Sequence, residues 1–573
     1  MRAMRVLTPN VRLTRRDDGF ILDSLTPLPP PARCVGEWLI RWAKQTPSET
    51  FLAERDERGA WRRLTYAEAL TRTESLASLL LEKGATPDRP VMLLNDNGID
   101  HALVSLAAMH IGVPIAPVSP AYSLMSKSFG RLKYIANLIH PRFVFTGDPQ
   151  PFAAALSAIG DAELLDASTT HPRSHKLDAA FNAVTPNTGA KVLFTSGSTG
   201  EPKGVVTTQR MLTSNQESLA AIWPFLSERA PVVVDWLPWS HTFGANHNFF
   251  LVLRSGGSLY IDRGRPAPGA IDTTVKNMAE VRPTLWFNVP RGFDQALTVL
   301  EKDDAAAKQV FSRLELLFYA AAALAPSTRE RLEKLAKRHG NEDLFFTSSW
   351  GSTETAPLST SAHFPTRTTG ILGVPVPGVS LKLERNQDKL ELKVKGPNVT
   401  PGYWQRGGGV TPAPLDAEGY LPTGDAGRLA DEAHPEQGVV FVGRLSENFK
   451  VSSGTWVNVA AVRLAVVEAC APFVLDAVIA GDNRDQLGAL LFPSPAAQNV
   501  SPEELTARLE KHNQAHPGGS ERIGAALLMT QPLSLDAGET TDKGYTNQRR
   551  VLQTRAAEAD RLFTTDPAVL RPR

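Results

Sequence analysis

A buried strand, a helix and a second buried strand follow one another between residues 90 and 119. The apolar run PVMLLN is typical of a buried strand, HALVSLAAMH of a helix that ends at Gly112, and VPIAPVS of a second strand. A strand, a helix and a strand at this spacing predict parallel pairing through a crossover. Further strand candidates, most of them alternating with helices, are RFVFTG, KVLFTS, SLYIDR, LELLFYA and LELKVKG. The sequence therefore predicts an α/β fold with parallel-rich sheets and flanking helices.

Local signals place two helices near the start of the chain. VGEWLIRWAKQTP has apolar residues at helical spacing. Thr65 and Glu68 have the spacing of a capping box, and the helix that they open runs to a stop signal at Gly84.

The pattern changes beyond Arg444. A polar loop is followed by a helix around residues 460–469, two strands LDAVIAG and LGALLFP, and the helix PEELTARLEKHNQ. A segment of this size can form a domain. We therefore predict a large N-terminal domain, 1–444, and a small separate α+β lid domain, 445–573, which the family resemblance described below implies is mobile.

Composition limits the class of partner. The chain of 573 residues has 42% hydrophobic and 21% charged residues and a net charge of +1. Because no long basic run occurs, nothing indicates a nucleic-acid or anionic-membrane partner, and small-molecule chemistry is favoured. Whether the chain forms a homodimer is open.

Cysteine use and the chain start suggest a compartment. Cys34 and Cys470 are far apart, which gives neither a disulfide framework nor a cysteine-based zinc site. The basic start has no apolar stretch typical of a signal peptide, and no 18-residue apolar run occurs elsewhere. We expect a cytoplasmic enzyme. The alternative is an Arg-rich transit peptide, which Asp17 and Asp18 disfavour.

The stretch VLFTSGSTGEPKGVV, from Val192 to Val206, turns from an apolar run into a polar loop. It is not a Walker A loop, because Pro202 stands where that pattern needs a glycine before the lysine. Its glycines, hydroxyl side chains and lysine are Gly197, Gly200 and Gly204; Thr195, Ser196, Ser198 and Thr199; and Lys203. Glycines allow close backbone approach, hydroxyls donate hydrogen bonds and the lysine supplies a cation, which together suit a triphosphate. The alternative is an ordinary surface Ser/Gly loop.

Five segments in order resemble the motifs of the adenylate-forming superfamily, which includes acyl-CoA and aryl-CoA ligases. They are TSGSTGEPKG, WGSTET, YLPTGDAGRL, GRLSENFKVSSGTWVN and DAGETTDKGYTNQR. The resemblance implies an AMP-forming acid–thiol ligase that uses ATP, Mg²⁺ and coenzyme A.

The resemblance also implies roles for residues in the second and third motifs. Glu354 corresponds to a magnesium ligand, and Thr353 to a residue that binds phosphate or the acyl-adenylate carbonyl. Trp350 stands where the family usually has a tyrosine and could stack on adenine, although a core tryptophan is the alternative. Gly351 is expected at the acyl substrate. Asp425 resembles the carboxylate that binds the ribose hydroxyls, with Arg444 as its partner; an interdomain ion pair is the alternative.

The last two motifs belong to the lid. Lys543 resembles the lysine that balances charge as pyrophosphate leaves, although this chain reads Asp-Lys-Gly instead of the common Gly-Lys order. Lys450 matches a second lid lysine that serves the other half-reaction in some members. Ser446 occupies the hinge position, where Asp or Lys is more usual.

Substrate specificity depends on a finer resemblance. The run DWLPWSHTFGANHNFFLVLRSGGSLYIDRGRP, followed by FNVPRGFD, is most similar to feruloyl-CoA synthetases, which activate hydroxycinnamic acids. His241 resembles the pocket-edge residue that closes the carboxylate site against water; a structural histidine is the alternative. FYAAAAL matches one wall of the acyl pocket, with Ala320, Ala321 and Ala322 leaving room for a flat ring.

The pocket lining and the activity both have alternatives. The side chains that could line the pocket, or instead belong to an aromatic-rich core, are Trp236, Trp239, Phe243 and Phe249. The activity could also be that of a medium-chain fatty acyl-CoA ligase, a carrier-protein-loading ligase, a luciferase-like oxygenase or a non-catalytic nucleotide-binding scaffold.

Overall fold

The computed structural model describes residues 6–196, 201–267, 269–541 and 546–573. They divide into two compact units. The first unit runs up to Met125 and includes Arg131–Thr423 and Arg428–Val440; the second includes Ser126–Gly130, Gly424–Gly427 and Phe441–Arg573. The predicted domain ranges, 1–444 and 445–573, stay a prediction.

The structure contains many short strands. In chain order the strands are β1 Val11–Arg16, β2 Gly19–Ser24, β3 Thr50–Arg55, β4 Trp61–Thr65, β5 Val91–Leu93, β6 Ile115–Pro117, β7 Phe143–Phe145, β8 Glu163–Leu164, β9 Gly189–Ser196, β10 Pro202–Thr208, β11 Val232–Asp235, β12 Ser258–Ile261, β13 Leu285–Asn288, β14 Leu316–Tyr319, β15 Phe345–Gly351, β16 Leu358–Ser361, β17 Ile371–Pro375, β18 Ser380–Asn386, β19 Lys389–Lys395, β20 Gly402–Trp404, β21 Val410–Pro412, β22 Leu421–Leu429, β23 Val439–Arg444, β24 Phe449–Lys450, β25 Trp456–Val457, β26 Val474–Ala480, β27 Leu487–Pro493 and β28 Ile523–Leu528.

Helices separate many of these strands. The α-helices are α1 Gly36–Gln45, α2 Tyr66–Glu82, α3 Ile99–His110, α4 Ala121–Leu124, α5 Gly130–Ile139, α6 Ala153–Ile159, α7 Leu177–Ala183, α8 Gln209–Ile222, α9 Phe225–Glu228, α10 Phe250–Ser255, α11 Ile271–Val281, α12 Pro290–Leu300, α13 Asp304–Phe311, α14 Pro326–Arg338, α15 Val459–Ala469, α16 Pro502–Ala515, α17 Gln548–Thr554 and α18 Ala556–Arg561. A π-helix spans Phe243–Phe249, and short 3₁₀ helices span Thr353–Thr355, Pro435–Gln437 and Pro495–Asn499.

The larger sheet is mixed. Its order is β1-β2-β18-β19-β22-β23-β17-β16-β15-β14-β13-β11-β12-β3-β4. The run from β15 to β3 is parallel, and helices such as α11 and α12 pack against it in a hydrophobic core. The β1–β2 and β18–β19 pairs on its other side are antiparallel.

The second sheet contains the predicted crossover. Its order is β21-β20-β10-β9-β6-β5-β7-β8. β5 and β6 pair in parallel on either side of α3, which confirms the βαβ prediction. β9 and β10 are antiparallel to each other, and so are β10 and β20.

The second unit has its own small sheet and core. Its order is β26-β27-β28, with β26 antiparallel and β28 parallel to β27. The sequence predicts β26, β27, α15 and α16, but not β28. Helix α16 is the crossover between β27 and β28, so the parallel pair follows from the connection.

The predicted capping box of α2 is present. The backbone N–H of Thr65 donates to Glu68 Oε2 over 2.8 Å, and the Glu68 N–H donates to Thr65 Oγ1 over 3.3 Å. The helix ends before Gly84, whose φ of +73° is a conformation that glycine adopts without strain. Among the described residues, no helix has the length and apolar composition needed to cross a bilayer.

Candidate active site

Strands β9 and β10 lie on either side of the hydroxyl-rich loop. Thr195 is opposite Lys203 in their register, and Ser196 is opposite Pro202. The residues that lie outside the described part are Gly197, Ser198, Thr199 and Gly200, together with the side chain of Ser196. A Walker A loop leads into a helix, whereas this loop leads into β10. The chain therefore differs from that pattern in the element after the loop as well as in Pro202.

Gly204 in β10 is packed too tightly for a side chain. A Cβ atom there would lie 2.8 Å from Val192 Cγ1 and 3.3 Å from Trp404 Cβ. Glycine at this position thus lets β9, β10 and β20 approach one another beside the loop.

Lys203 lies over the ring of Tyr403. Its Nζ is 5.4 Å from the ring centroid, within the range of a cation–π contact. Burial, followed by the negative charge of Glu354, raises the pKa of Tyr403 to about 12. Lys203 and Glu354 belong to two separate motifs, and both interact with Tyr403: the lysine contacts its ring, and the carboxylate raises its pKa. The sequence analysis did not single out Tyr403, because only its β20 position beside β10 brings it to Lys203.

Glu354 lies in a 3₁₀ turn just after β15. The backbone N–H of Ser352 donates to Thr355 Oγ1 over 2.9 Å, and that hydroxyl donates to the Pro357 carbonyl over 2.7 Å. A Cβ atom on Gly351 would lie 1.6 Å from the same carbonyl. The turn that presents Thr353 and Glu354 thus requires glycine at 351, and this packing role is separate from its predicted place at the substrate.

Two buried asparagines hold this turn from behind. Asn215 of α8 and Asn398 of the β19–β20 loop are each 2% exposed. Both donate from Nδ2 to the Leu358 carbonyl over 2.9 Å, and both also reach the Thr355 carbonyl. Their amides therefore fix the backbone that carries Glu354. The sequence analysis missed them, since a single asparagine carries no motif.

Glu354 is a candidate carboxylate ligand for Mg²⁺. In the part of the chain that the structure describes, no group of three or more His, Cys, Asp or Glu side chains could hold a metal ion. Mg²⁺ commonly binds through one or two carboxylates, with substrate phosphates and waters as the other ligands. A single carboxylate whose charge reaches Tyr403 beside Lys203 fits that mode.

His241 lies two residues before the start of the π-helix. Its backbone N–H donates to the Pro238 carbonyl over 3.1 Å, and its side chain is half-buried. A Cβ atom on Gly244 would lie 2.3 Å from the Leu237 carbonyl oxygen, so the helix packs directly against the preceding loop. Gln216 of α8 donates to the backbone carbonyls of Asn246 and His247. π-Helical turns are often found at functional sites, and the sequence did not predict this one.

The aromatic residues expected around the substrate divide into two groups. Trp239 and Phe249 are each 4% exposed and pack against each other with ring centroids 4.9 Å apart. Phe249 also packs against Phe51, which places the pair in the core. These contacts are those of an aromatic core, and whether the two rings also line the pocket stays a prediction. Trp236 and Phe243 are half-buried.

The alanine segment follows the end of β14. Ala320 is half-buried, whereas Ala321 and Ala322 are exposed. Ala321 has a φ of +73°, in the left-handed region that favours glycine. Trp350 is half-buried in β15, opposite Thr360 of β16. The substrate role of the alanines and the adenine role of Trp350 stay predictions.

The second unit contains the predicted ribose and lid residues. Arg444 Nε lies 3.5 Å from Asp425 Oδ1, and the Leu445 N–H donates to the Gly424 carbonyl over 2.8 Å. Ser446 is exposed in the turn after β23. Lys450 of β24 has its Nζ 4.8 Å from the ring centroid of Trp456, which is its register partner in β25. Asp425 and Arg444 are thus neighbours, as predicted, while their role stays a prediction.

Lys543 lies outside the described residues, but the segments on both sides are anchored. Thr540 pairs with Thr546 in an isolated antiparallel bridge. The Asn547 N–H donates to the Glu539 carbonyl over 2.8 Å, and the Ile479 N–H donates to Gln548 Oε1 over 3.1 Å. The described residues before and after Lys543 are therefore held by hydrogen bonds to one another and to β26.

Comparison with known proteins identifies relatives of both sequence and fold. The chain is 25% identical to carboxylic acid reductase of Mycobacterium marinum, covering 78% of this chain and 41% of that protein. It is 25% identical to long-chain-fatty-acid–CoA ligase FadD15 of Mycobacterium bovis, covering 77% of this chain and 78% of that protein. The chain thus spans less than half the length of the first relative.

Solved structures share the fold. ATP-bound MatB from Rhodopseudomonas palustris superposes with a TM-score of 0.68 at 20% identity, covering 91% of this chain and 98% of that chain. The anthranilate CoA ligase AuaEII in complex with anthranoyl-AMP superposes with a TM-score of 0.72 at 17% identity, covering 93% of this chain and 99% of that chain. The α/β fold with a large N-terminal and a smaller C-terminal domain is therefore confirmed.

Two family models match in chain order. Residues 39–404 match the AMP-binding enzyme family, and residues 449–566 match the AMP-binding enzyme C-terminal domain. The first match alone covers more than half of the chain, and the resemblance to adenylate-forming enzymes is confirmed. The chain belongs to the family of AMP-binding enzymes.

Proposed function

We propose that this chain is an ATP-dependent ligase that joins a hydroxycinnamic-type carboxylic acid to coenzyme A. The acid is first converted to an acyl-adenylate with release of pyrophosphate. The thiol of coenzyme A then takes the acyl group, and AMP leaves.

The observation that carries the proposal is that Lys203 and Glu354 both act on Tyr403. One cation and one carboxylate thus meet at one tyrosine, and Lys203 follows closely in the sequence on a run that is rich in hydroxyls and glycines. A magnesium triphosphate needs both charges, because its oxygens are anionic and its counterion is held by carboxylate and phosphate together. The family membership supports the same use of ATP.

The chemistry explains why two steps are needed. A free carboxylate is a poor acyl donor. In the first step its oxygen attacks the α-phosphorus of ATP, and the bond to the pyrophosphate oxygen breaks. In the second step the thiolate sulfur attacks the acyl carbon, and the bond to the AMP oxygen breaks.

Each residue has a proposed part in these steps. Lys203, Thr195 and the loop hydroxyls bind the triphosphate, and Glu354 would hold Mg²⁺ there. Asp425 accepts hydrogen bonds from the ribose hydroxyls. Lys543 balances the negative charge that develops in the first step, and Lys450 serves the second.

The proposal that the substrate is an aromatic acid is based on the resemblance to feruloyl-CoA synthetases and on the residues of the two predicted pocket segments. Phe243 follows His241 by two residues, and Phe318 precedes Ala320 by two, so both predicted pocket segments carry a phenylalanine. The ring centroids of Phe243 and Phe318 are 5.5 Å apart. These rings suit a flat acid better than a flexible chain.

A fatty acid is the second candidate substrate, because several relatives are named long-chain-fatty-acid–CoA ligases. The test measures pyrophosphate release with hydroxycinnamic, cinnamic, benzoic and fatty acids, with and without coenzyme A. We expect the highest kcat/KM with hydroxycinnamic acids, and thioester formation only with coenzyme A. A higher kcat/KM for fatty acids would overturn the aromatic assignment. Adenylate formation without thioester formation would favour a carrier protein as acceptor.

A further inference from the structure

His247 is a polar residue that the proposed mechanism does not use. It lies in the π-helix six residues after His241 and is 1% exposed. Burial lowers the pKa of its imidazole to about 4, so the ring is neutral near pH 7. A neutral imidazole has one nitrogen that donates and one that accepts, and its neighbours decide which is which.

The neighbours of His247 fix this choice. Asn248 donates from Nδ2 to Asp235 Oδ2 over 2.8 Å, which turns its amide oxygen toward His247. That oxygen lies 2.9 Å from His247 Nδ1. Because an amide oxygen can only accept, Nδ1 carries the proton and Nε2 is left as the acceptor. Asp235 is held in turn by the N–H of Leu237 over 3.0 Å.

The Nε2 acceptor belongs to an imidazole that packs among aromatic rings. Among the described residues it has no hydrogen-bond partner, and the same is true of the indole N–H of the neighbouring Trp223. The rings around His247, with centroid separations of 4.8 to 6.3 Å, are those of Trp223, Phe243, Phe287 and Phe318. A buried polar atom without a partner is costly, so an oriented acceptor kept among such rings points to a ligand that can donate to it.

Two of these rings belong to the segments that are expected to bind the acid. Phe243 lies in the segment that begins at His241, and Phe318 lies in the strand that leads to Ala320. We propose that His247 Nε2 accepts a hydrogen bond from a phenolic hydroxyl on the ring of the acid substrate and so selects hydroxylated acids. This inference rests on the proposed function, and it assigns the preference for hydroxylated acids to one atom, His247 Nε2.

Three acids test the wild-type enzyme without any substitution. 4-Hydroxycinnamic acid can donate to Nε2, whereas cinnamic acid has no hydroxyl and 4-methoxycinnamic acid can only accept. We expect kcat/KM for pyrophosphate release to be about tenfold or more higher for the hydroxylated acid than for the other two. Equal values for all three acids would overturn the inference.

Two variants locate the effect. His247→Phe keeps a ring but removes the acceptor, so kcat/KM for 4-hydroxycinnamic acid should fall relative to that for cinnamic acid until their ratio is about one. His247→Gln keeps an acceptor and should retain part of the preference. A His247→Phe enzyme that keeps the full preference, or loses both acids equally, would show a structural histidine or one that binds only buried water.

The outcomes separate this inference from the proposed function. If the wild type activates fatty acids and none of the cinnamic acids, the proposed function fails. If it activates all three cinnamic acids equally, the proposed function stands and the role of His247 fails.

Discussion

Arg555 donates two hydrogen bonds to the carboxylate of Glu539, from Nε over 2.8 Å and from Nη2 over 2.7 Å. Both side chains are less than 10% exposed. Glu539 also accepts from the Ser534 N–H and from Thr554 Oγ1, each over 2.8 Å. This pair ties the segment before Lys543 to the end of α17. The sequence analysis did not single it out.

The first prediction concerns stability at low pH. The hydrogen bonds from Arg555 are the main reason why the pKa of Glu539 falls to about 2 from a usual 4.5. Since the folded pKa is lower than the unfolded one, this stabilisation is complete above about pH 4.5 and is lost as the pH falls toward 2. It amounts to about 3 kcal/mol. Hydrogen exchange of β26 to β28, measured by mass spectrometry, should show the second unit opening more readily across that interval.

Glu539→Gln tests the same pair at neutral pH. The variant leaves Arg555 without its counter-charge, so opening of the second unit should become easier by about 3 kcal/mol. The stability that the second unit of this variant loses between pH 4.5 and 2 should be smaller than the stability that the wild type loses. The control is Glu521→Gln, at an exposed position of the same unit. An equal response of the two variants would show that the buried pair adds nothing.

The second prediction concerns ATP. Lys203→Ala should raise KM for ATP by about tenfold or more, because the triphosphate loses a cation, while the melting temperature changes little. Lys308→Ala, on the exposed face of α13, is the matched control. Unchanged ATP kinetics in Lys203→Ala would remove this lysine from the phosphate site.

Parts of the fold and of the candidate site could be predicted because their sequence signals are local. The capping box of Thr65 and Glu68 involves residues three positions apart, and the loop after Val192 carries its hydroxyls in one run. The βαβ unit follows from strand and helix periodicities that a short window contains.

Other parts depend on contacts between distant residues. Tyr403 reaches Lys203 only because β20 pairs with β10, and Asn215 reaches Leu358 across more than a hundred residues. The strand β1 was missed because its arginines hide the alternation of apolar residues. The π-helix depends on Gln216 binding two of its carbonyls, which no local pattern shows.

The third prediction concerns backbone strain at the proposed pocket wall. Ala321 holds a φ of +73°, which costs a residue with a Cβ atom about 1 kcal/mol. Ala321→Gly should relieve this strain and leave the enzyme at least as stable as the wild type. Ala322→Gly, at the next exposed position, should be less stable by about 0.5 to 1 kcal/mol because it only adds freedom to the unfolded chain. Chemical unfolding measures both; equal destabilisation would show that residue 321 is not strained.

The last prediction concerns the division of labour between two lysines of the second unit. In the proposed function Lys543 stabilises charge only while pyrophosphate leaves, whereas Lys450 serves the thioester step. Lys543→Ala should therefore lower adenylate formation by about a hundredfold or more and leave thioester formation from a synthetic acyl-adenylate within about threefold. Lys511→Ala, an exposed position in α16, should change neither half-reaction. Measuring both half-reactions separately decides the matter: if Lys543→Ala loses them to the same degree, the lysine has a structural role and the assignment of one lysine to each step is wrong.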